Sequence, residues 1–269
     1  MTLEVPMSVP ILMYHEIARQ SGSTSRLAVS PDSWAEQLDY LHTESFKTVT
    51  AAQLAAALSG HGQLQDRTVV LTFDDGYEDF YSRAMPLLDR YGFTATLFIT
   101  TGWIQDAGPL AAGRRPGRML SWSQIAEAAQ AGIEVAAHSR SHPQLDRLPR
   151  KLLRQELYDG RAQLEDKLGS AVTGLAYPFG YSNMSVRQMA RDLGHDYACA
   201  VGNVMIGEKP DLFALPRLTI KRSTGKLAFQ QVVHGSNVQK IYFTDRELTK
   251  AWAMVRHTRK ALGSLLRGE

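Results

Sequence analysis

Thr68-Val69-Val70-Leu71-Thr72-Phe73-Asp74-Asp75-Gly76-Tyr77 is the stretch on which the reading of this 269-residue chain turns. Its first six residues form a continuous β-branched and aromatic run, the pattern of a strand covered on both faces, as in a parallel sheet. Two carboxylates follow at once. Adjacent carboxylates at the end of a buried strand repel each other, and are costly unless a cation or other charges compensate them. Asp-Asp-Gly is also an ordinary turn sequence, so the pair alone leaves turn and site open.

Working outward, similar short apolar runs at 9–14, 94–100, 133–137, 172–177, 197–201 and 215–220 read as strands. Helical patterns separate most of them, at 31–43, 78–91, 121–131, 149–168 and 185–193. Ser30 and Pro31 suit an N-cap and first helical position, and Gly92, Gly132 and Gly169 suit helix stops. Alternating strands and helices imply βαβ units with parallel pairing. The expected fold class is therefore α/β: a distorted, incomplete (β/α) barrel of about seven strands, with a doubly wound sheet as the alternative. Residues 1–222 are expected to form the barrel, and 223–269 a C-terminal helical extension packed on it. In either architecture functional groups gather at the C-terminal ends of strands. His15, Asp74, Asp75, His138 and Tyr177-Pro178-Phe179-Gly180 all fall at such ends.

Composition narrows the classes. Hydrophobic residues make up 44% and charged residues 21%, which excludes a disordered or collagen-like chain. No apolar run approaches the roughly 18–20 residues of a membrane span, so no integral membrane segment is expected. The single cysteine, Cys199, excludes an intrachain disulfide and a Cys-rich zinc site. A net charge of +3 from 30 basic and 27 acidic residues is too balanced to point to nucleic acid. The first residues lack a basic n-region, and Glu4, Pro6 and Pro10 interrupt their apolar run. They do not read as a secretory signal. The sequence as it stands reads as cytoplasmic, or as periplasmic or extracellular if a signal has been removed. Residues 105–118, rich in Gly, Pro and Arg, read as a loop over the strand ends, where Arg114, Arg115 and Arg118 offer an anionic group a partner. Residues 245–266 carry Leu248, Trp252, Val255, Leu262 and Leu266 at helical spacing among basic residues. A terminal helix packed on the domain is expected there, with peripheral membrane contact as the alternative.

His138-Ser139-Arg140-Ser141-His142 sets two imidazoles four positions apart at a strand end. In a helical turn or tight loop they can meet on one metal. Asp75 would complete a two-histidine, one-carboxylate set with positions left for water and substrate. That donor set suits a divalent metal such as zinc, with cobalt or non-heme iron as alternatives. In Tyr177-Pro178-Phe179-Gly180 the proline fixes a turn and the glycine frees it. The Phe179 backbone amide can then serve as an oxyanion donor. Trp103, Trp122 and Tyr77 are candidate sugar-stacking aromatics. His42, His61, His195, His234 and His257 are assigned no role.

In this order and spacing, Thr-Phe-Asp-Asp-Gly at 72–76, His-Ser-x-x-His at 138–142 and Pro-Phe-Gly at 178–180 resemble the three motifs of the polysaccharide deacetylases. These form the NodB-homology domain of carbohydrate esterase family 4, and the resemblance covers roughly residues 9–220. It implies metal-dependent hydrolysis of an N-acetyl group on a glycan. Asp75, His138 and His142 would hold the metal (zinc first, or Co2+, Ni2+ or Fe2+), Asp74 would act as general base, Phe179 as oxyanion donor and His15 as proton donor to the leaving amine. Two departures stand out. The family's third motif carries an arginine two residues before its proline, where this chain has Ala176. Arg217, in Leu215-Pro216-Arg217, is the candidate to hold Asp74 instead. The late Leu-x-His motif is also absent, while Leu12-Met13-Tyr14-His15 stands at the start. This resembles the circularly permuted branch that includes poly-N-acetylglucosamine deacetylases. The implied partner is an acetylated amino-sugar glycan. The rival readings are a hydrolase of small amino-sugar precursors or other non-polymeric C–N substrates, and a glycan-binding domain without turnover.

Overall fold

The computed structural model of the protein describes residues 9–19 and 26–248. Its strands are β1 (Ile11–Tyr14), β2 (Lys47–Val49), β3 (Thr68–Phe73), β4 (Thr96–Ile99), β5 (Glu134–Ala137), β6 (Gly174–Ala176), β7 (Tyr197–Val201) and β8 (Leu215–Thr219), all paired in parallel. The spatial order β1-β8-β7-β6-β5-β4-β3 closes through β1–β3, so seven strands form a distorted (β/α) barrel. Val70 and Phe73 each have β1 on one edge, while the other edge of β3 carries β2 at Thr68–Val70 and β4 at Thr72–Phe73. The short β2 thus fills the gap where β3 and β4 splay apart. It has no counterpart in the sequence reading. Three residues starting with Lys47 lack enough apolar alternation to announce a strand.

The helices α1 (Pro31–Thr43), α2 (Ala51–Leu58), α3 (Met85–Tyr91), α4 (Trp122–Gln130), α5 (Arg150–Leu168), α6 (Met184–Asp192), α7 (Lys226–Val233) and α8 (Val238–Ile241) follow local rules. Ser30 caps α1 by accepting from Ser33 N–H, with Pro31 next in line. Ser121 and Gln124 close a capping box on α4, as Thr50 and Gln53 do on α2. Gly92 and Gly169 end α3 and α5 in the left-handed conformation. The predicted helix at 78–91 begins as a π-turn over Phe80–Ala84 and becomes α-helical at Met85. Helix α2, rich in alanine, was also not foreseen.

One large apolar cluster lies between the barrel and its helices. It includes Trp34, Leu38 and Leu41 of α1 and Leu157 and Leu164 of α5, and extends to Phe229, Val232 and Val233 of α7 and Tyr242. Only residues up to 248 of the 223–269 extension are described, and 243–248 are helical. Most of the expected 245–266 helix, with its membrane-contact alternative, lies outside the described residues. No described helix is long and apolar enough to cross a membrane.

The floor of the barrel is polar. Glu134, the first residue of β5, accepts from the Tyr197 hydroxyl at 2.7 Å, the Thr96 hydroxyl at 2.8 Å and Ala52 N–H at 3.0 Å. Thr96 in turn accepts from Ala51 N–H at 2.8 Å, which ties α2 to the floor. Gly174 opens β6 directly against the Tyr197 ring, and a β-carbon there would overlap the phenol. Gly174→Ala is expected to cost ~1–3 kcal/mol by overpacking. It should lower the melting temperature by roughly 2–4 °C per kcal/mol for a domain of this size, read by thermal unfolding. An unchanged melting temperature would mean that the Tyr197–Glu134 network yields freely.

Candidate active site

The register of the first barrel strands sets the site. Tyr14 pairs with Phe73, and Asp74 N–H donates to Tyr14 O at 3.0 Å, so His15 and Asp74 emerge side by side at the top of β1 and β3. Asp75 and Gly76 then turn the chain away, both with positive φ, of 75° and 84°. The left-handed φ favours glycine at 76, while a β-carbon there would meet only the end of the Ile99 side chain, at 2.9 Å.

Arg217 comes from β8, on the far side of β1 from β3, and is fully buried. Its guanidinium grips Asp74 with a fork, Nη1 to Oδ1 at 2.5 Å and Nη2 to Oδ2 at 2.7 Å. Arg217 Nη1 also donates to Thr72 Oγ1 at 3.2 Å and Nε to Ala200 O at 3.2 Å, and the guanidinium faces the Phe98 ring at 5.2 Å. Burial by itself would raise the Asp74 carboxyl. The Arg217 charge, His138, the Arg217 hydrogen bonds and His15 together outweigh it, and Asp74 sits well below the usual carboxylate range. Ala176, where the resemblance led one to expect an arginine, is buried in β6.

Asp75 has the opposite environment. Burial pushes its carboxyl up, and the neighbouring Asp74 charge pushes it further. Its Oδ1 is buried without a hydrogen-bond partner. It faces Nε2 of His138 at 3.5 Å and Nε2 of His142 at 3.3 Å. The protonation of His138 follows from its other nitrogen. Nδ1 lies 2.8 Å from Ala176 O, a carbonyl that can only accept, so Nδ1 carries the proton and the Nε2 lone pair points at Asp75. Burial lowers both imidazoles, His142 to about 3, which keeps them neutral and fit to ligate. A buried carboxylate oxygen confronting a lone pair, without a hydrogen between them, is unfavourable in itself and becomes favourable around a cation. Ligand atoms about 2.0–2.1 Å from a tetrahedral zinc stand roughly 3.3–3.5 Å apart, and the three donor atoms here all lie within 4.8 Å of one another. The residues therefore fit a divalent metal.

The loop bearing both histidines is held from outside the barrel. Glu156 of α5 accepts from Arg140 N–H at 3.1 Å, Ser141 N–H at 2.8 Å and the Ser141 hydroxyl at 2.6 Å. One turn on, Gly160 lets α5 approach so closely that a β-carbon would lie 2.8 Å from Ser139 C and 3.0 Å from Arg140 N. Within the loop His142 N–H donates to Ser139 Oγ at 3.0 Å. Of the eight described non-glycine residues with positive φ, four are Asp75, Ser139, His142 and Phe179. Such a conformation costs about 1–2 kcal/mol for each. Strain is thus concentrated where the side chains must converge.

His15 is half-buried, its Nδ1 is enclosed without a partner, and burial pushes it down to about 4. Phe179 stands with φ 60° at the mouth, its ring 4.7 Å from that of His142. His15, Asp74, Asp75, His138, His142 and Phe179 line one cavity of about 770 Å³. Trp103 lines it as well, with its ring 4.8 Å from His142. Tyr77 is buried against Trp103 and Met119, and Trp122 starts α4 among core side chains, so neither is among the residues lining this cavity. His42, His61, His195 and His234 lie outside the cavity too. Glu156 and the half-buried Tyr181 were not singled out in the sequence. Nothing at their positions marks them until α5 and β6 are assembled around the loop.

The polysaccharide deacetylase family model matches residues 61–198, just over half of the chain, and the chain belongs to that family. YxkH of Bacillus subtilis (strain 168), provisionally named a polysaccharide deacetylase, is 27% identical over 228 residues, covering 84% of this chain and 76% of its own. The poly-beta-1,6-N-acetyl-D-glucosamine N-deacetylase of Escherichia coli (strain K12) is 27% identical over 136 residues, 48% of this chain but 20% of that protein. Among solved structures, the Streptococcus pyogenes deacetylase PplD in complex with acetate superposes with a TM-score of 0.76 at 27% identity, covering 85% of this chain and 99% of that one.

Glu156→Ala leaves Ser141 N–H without its partner, while Arg140 N–H keeps the Glu156 backbone carbonyl at 3.1 Å, and is expected to cost ~1–3 kcal/mol in urea unfolding. Partners that orient metal ligands typically contribute 10–100-fold in metal affinity. Titration of the metal-free variant with zinc should therefore show affinity lowered by about that factor. Stability and affinity both equal to the parent protein would show that the loop holds itself.

Proposed function

We propose that the protein is a metal-dependent hydrolase that removes N-acetyl groups from amino-sugar units of a polysaccharide, releasing acetate. The observation that carries the reading is the buried, partnerless Asp75 Oδ1 facing two imidazole nitrogens, with a second carboxylate beside it pinned by Arg217. Family membership and the presence of acetate in the PplD structure support it. A cavity of about 770 Å³, larger than one sugar ring needs, favours a polymer over a small precursor.

Asp75, His138 and His142 would hold the metal, zinc in the first instance. When bound, it would acidify water and polarise the acetyl carbonyl. The chain's own groups divide the remaining work. Asp74 is kept ionised and fixed in rotation by the Arg217 fork, and accepts the proton of the attacking water. Its low affinity for protons makes it a transient holder rather than a sink. The Phe179 N–H donates to the developing oxyanion. His15, neutral at rest, takes that proton over from Asp74 and hands it to the leaving nitrogen, so both groups return to their starting charge. The proton that Asp74 takes from water equals the one that the amine gains, so the cycle balances at acetate and a free hexosamine amine. Arg217 touches neither water nor sugar in this scheme and acts as a positioning residue for Asp74.

The variants separate these roles. Asp75→Asn, His138→Ala and His142→Ala should each lower bound zinc to a small fraction of one equivalent by elemental analysis. Asp74→Asn should retain zinc and lose at least 100-fold in acetate release, since positioned acid–base groups contribute about 10²–10⁴-fold. An Asp74→Asn protein that releases acetate from N-acetylglucosamine oligomers at the parent rate would refute the base assignment. Removing the partner of a buried charge costs ~3–5 kcal/mol, so Arg217→Leu should lose stability as well as turnover. Asp74→Asn combined with Arg217→Leu should recover part of the stability and none of the turnover.

A further inference from the structure

The scheme above draws its reacting groups from the ends of β1, β3, β5 and β6, and gives the end of β7 no part. Asn203 stands there, two residues past Val201. It lines the same cavity as His15, Asp74 and Phe179, yet it is only 5% exposed. Its backbone has φ 50°, a left-handed conformation that asparagine tolerates better than most residues. Asn203 N–H donates to Arg217 O at 3.0 Å, and Asn203 Oδ1 accepts from Thr219 N–H at 2.9 Å. Backbone and side chain thus carry the bonding of β7 to β8 beyond its last pair, Val201 with Arg217.

The Thr219 bond also fixes which way the amide points. A backbone N–H can only donate, so the atom that meets it is the oxygen, and the nitrogen is turned the other way. Nδ2 makes no hydrogen bond among the described residues, and it is not sealed in by them. The cavity is the space that this residue lines. Two N–H donors are therefore presented to the cavity on a side chain whose other end is held in place. A buried amide without a bond from the chain takes one from water or a ligand.

The neighbours of Asn203 indicate which part of a substrate it meets. Gly180 lies so close to β7 that a β-carbon there would fall 2.6 Å from Val201 N, so the Phe179 turn rests against this strand end. Thr219, which holds the Asn203 amide, pairs with Met13, two residues before His15. In the strand order β6, β7, β8, β1, Asn203 comes between Phe179 and His15. In the proposed scheme the Phe179 N–H meets the oxyanion and His15 protonates the leaving nitrogen. The sugar is bonded to that nitrogen, so the sector between the two faces the sugar rather than the acetyl methyl. The polar groups that a neutral amino sugar presents there are hydroxyls, and a hydroxyl oxygen accepts from an amide.

We infer that Asn203 is a substrate-binding residue whose Nδ2 donates to a hydroxyl oxygen of the amino sugar that bears the acetyl group. This rests on the deacetylase reading above and adds a selectivity-determining contact to it. Because Oδ1 is already committed to Thr219, Asn203 meets the sugar as a donor only, and a sugar without that oxygen forfeits the bond.

The test titrates zinc-loaded Asp74→Asn protein, by NMR, with methyl N-acetylglucosaminide and its 3-, 4- and 6-deoxy analogues. One deoxy analogue should bind about 3–10-fold more weakly than the full glycoside, the range of one neutral hydrogen bond. Adding Asn203→Gly, which suits the left-handed backbone, should abolish that one penalty and leave the others unchanged. If Asn203 only braces Thr219, the glycine variant weakens all four ligands by a common factor and every deoxy penalty persists. Asn203→Asp keeps an oxygen for Thr219 N–H and reverses the polarity offered to the sugar. It should reject the matching deoxyfluoro analogue, whose fluorine accepts but cannot donate, more strongly than Asn203 does. A protein that binds no glycoside, shows no deoxy penalty, or keeps its penalty after Asn203→Gly overturns the inference. Acetate release by the protein with Asp74 intact decides the deacetylase reading separately, since none of these titrations depends on turnover.

Discussion

Two carboxyl groups leave the buried end of β3 on consecutive residues, where burial and mutual repulsion disfavour a charge on both. The protein treats the two differently. Asp74 receives a guanidinium carried across β1 from β8, in a two-pronged geometry that lysine could not reproduce. Asp75 receives no hydrogen on its inner oxygen, only the lone pairs of two imidazoles. The first arrangement is complete within the chain. The second is stabilising only around a cation. On the proposed reading, this asymmetry divides one Asp-Asp pair into a proton acceptor and a metal ligand.

Keeping that asymmetry requires a rigid frame. Four strained backbone positions, the Glu156 clamp and the close approach of Gly160 all bear on the same few residues of the mouth. The floor of the barrel is tied separately through Glu134 and Tyr197, so the two ends of the strands are stabilised by independent networks. Such a layout lets the mouth vary in loop length and charge without disturbing the closure of the barrel. The 105–118 loop and the chain after β8 are where this protein uses that freedom, with Arg114 and Lys221 brought to the cavity by each.

Much of the fold could be read along the chain because buried parallel strands and capped helices are local patterns. Seven apolar runs separated by turn signals led directly to a seven-strand ring. What was missed was short or ambiguous: β2 has three residues and opens with a lysine, α2 is nearly all alanine, and the π-turn at Phe80–Ala84 keeps a helix-like sequence. The aromatic candidates were sorted only by burial. Trp103 faces the cavity, while Tyr77 and Trp122, of the same chemical type, pack elsewhere.

The sequence by itself determined the order of the strands, the residue types at their C-terminal ends and the spacing of the two histidines, because each depends on neighbours within a few positions. Tertiary structure alone decided which groups meet. Arg217 stands 143 positions from Asp74, and the distance vanishes only because β1 pairs with both β8 and β3. Contacts of this kind depend on register and ring closure, and these are properties of the assembled sheet that no single stretch of chain contains.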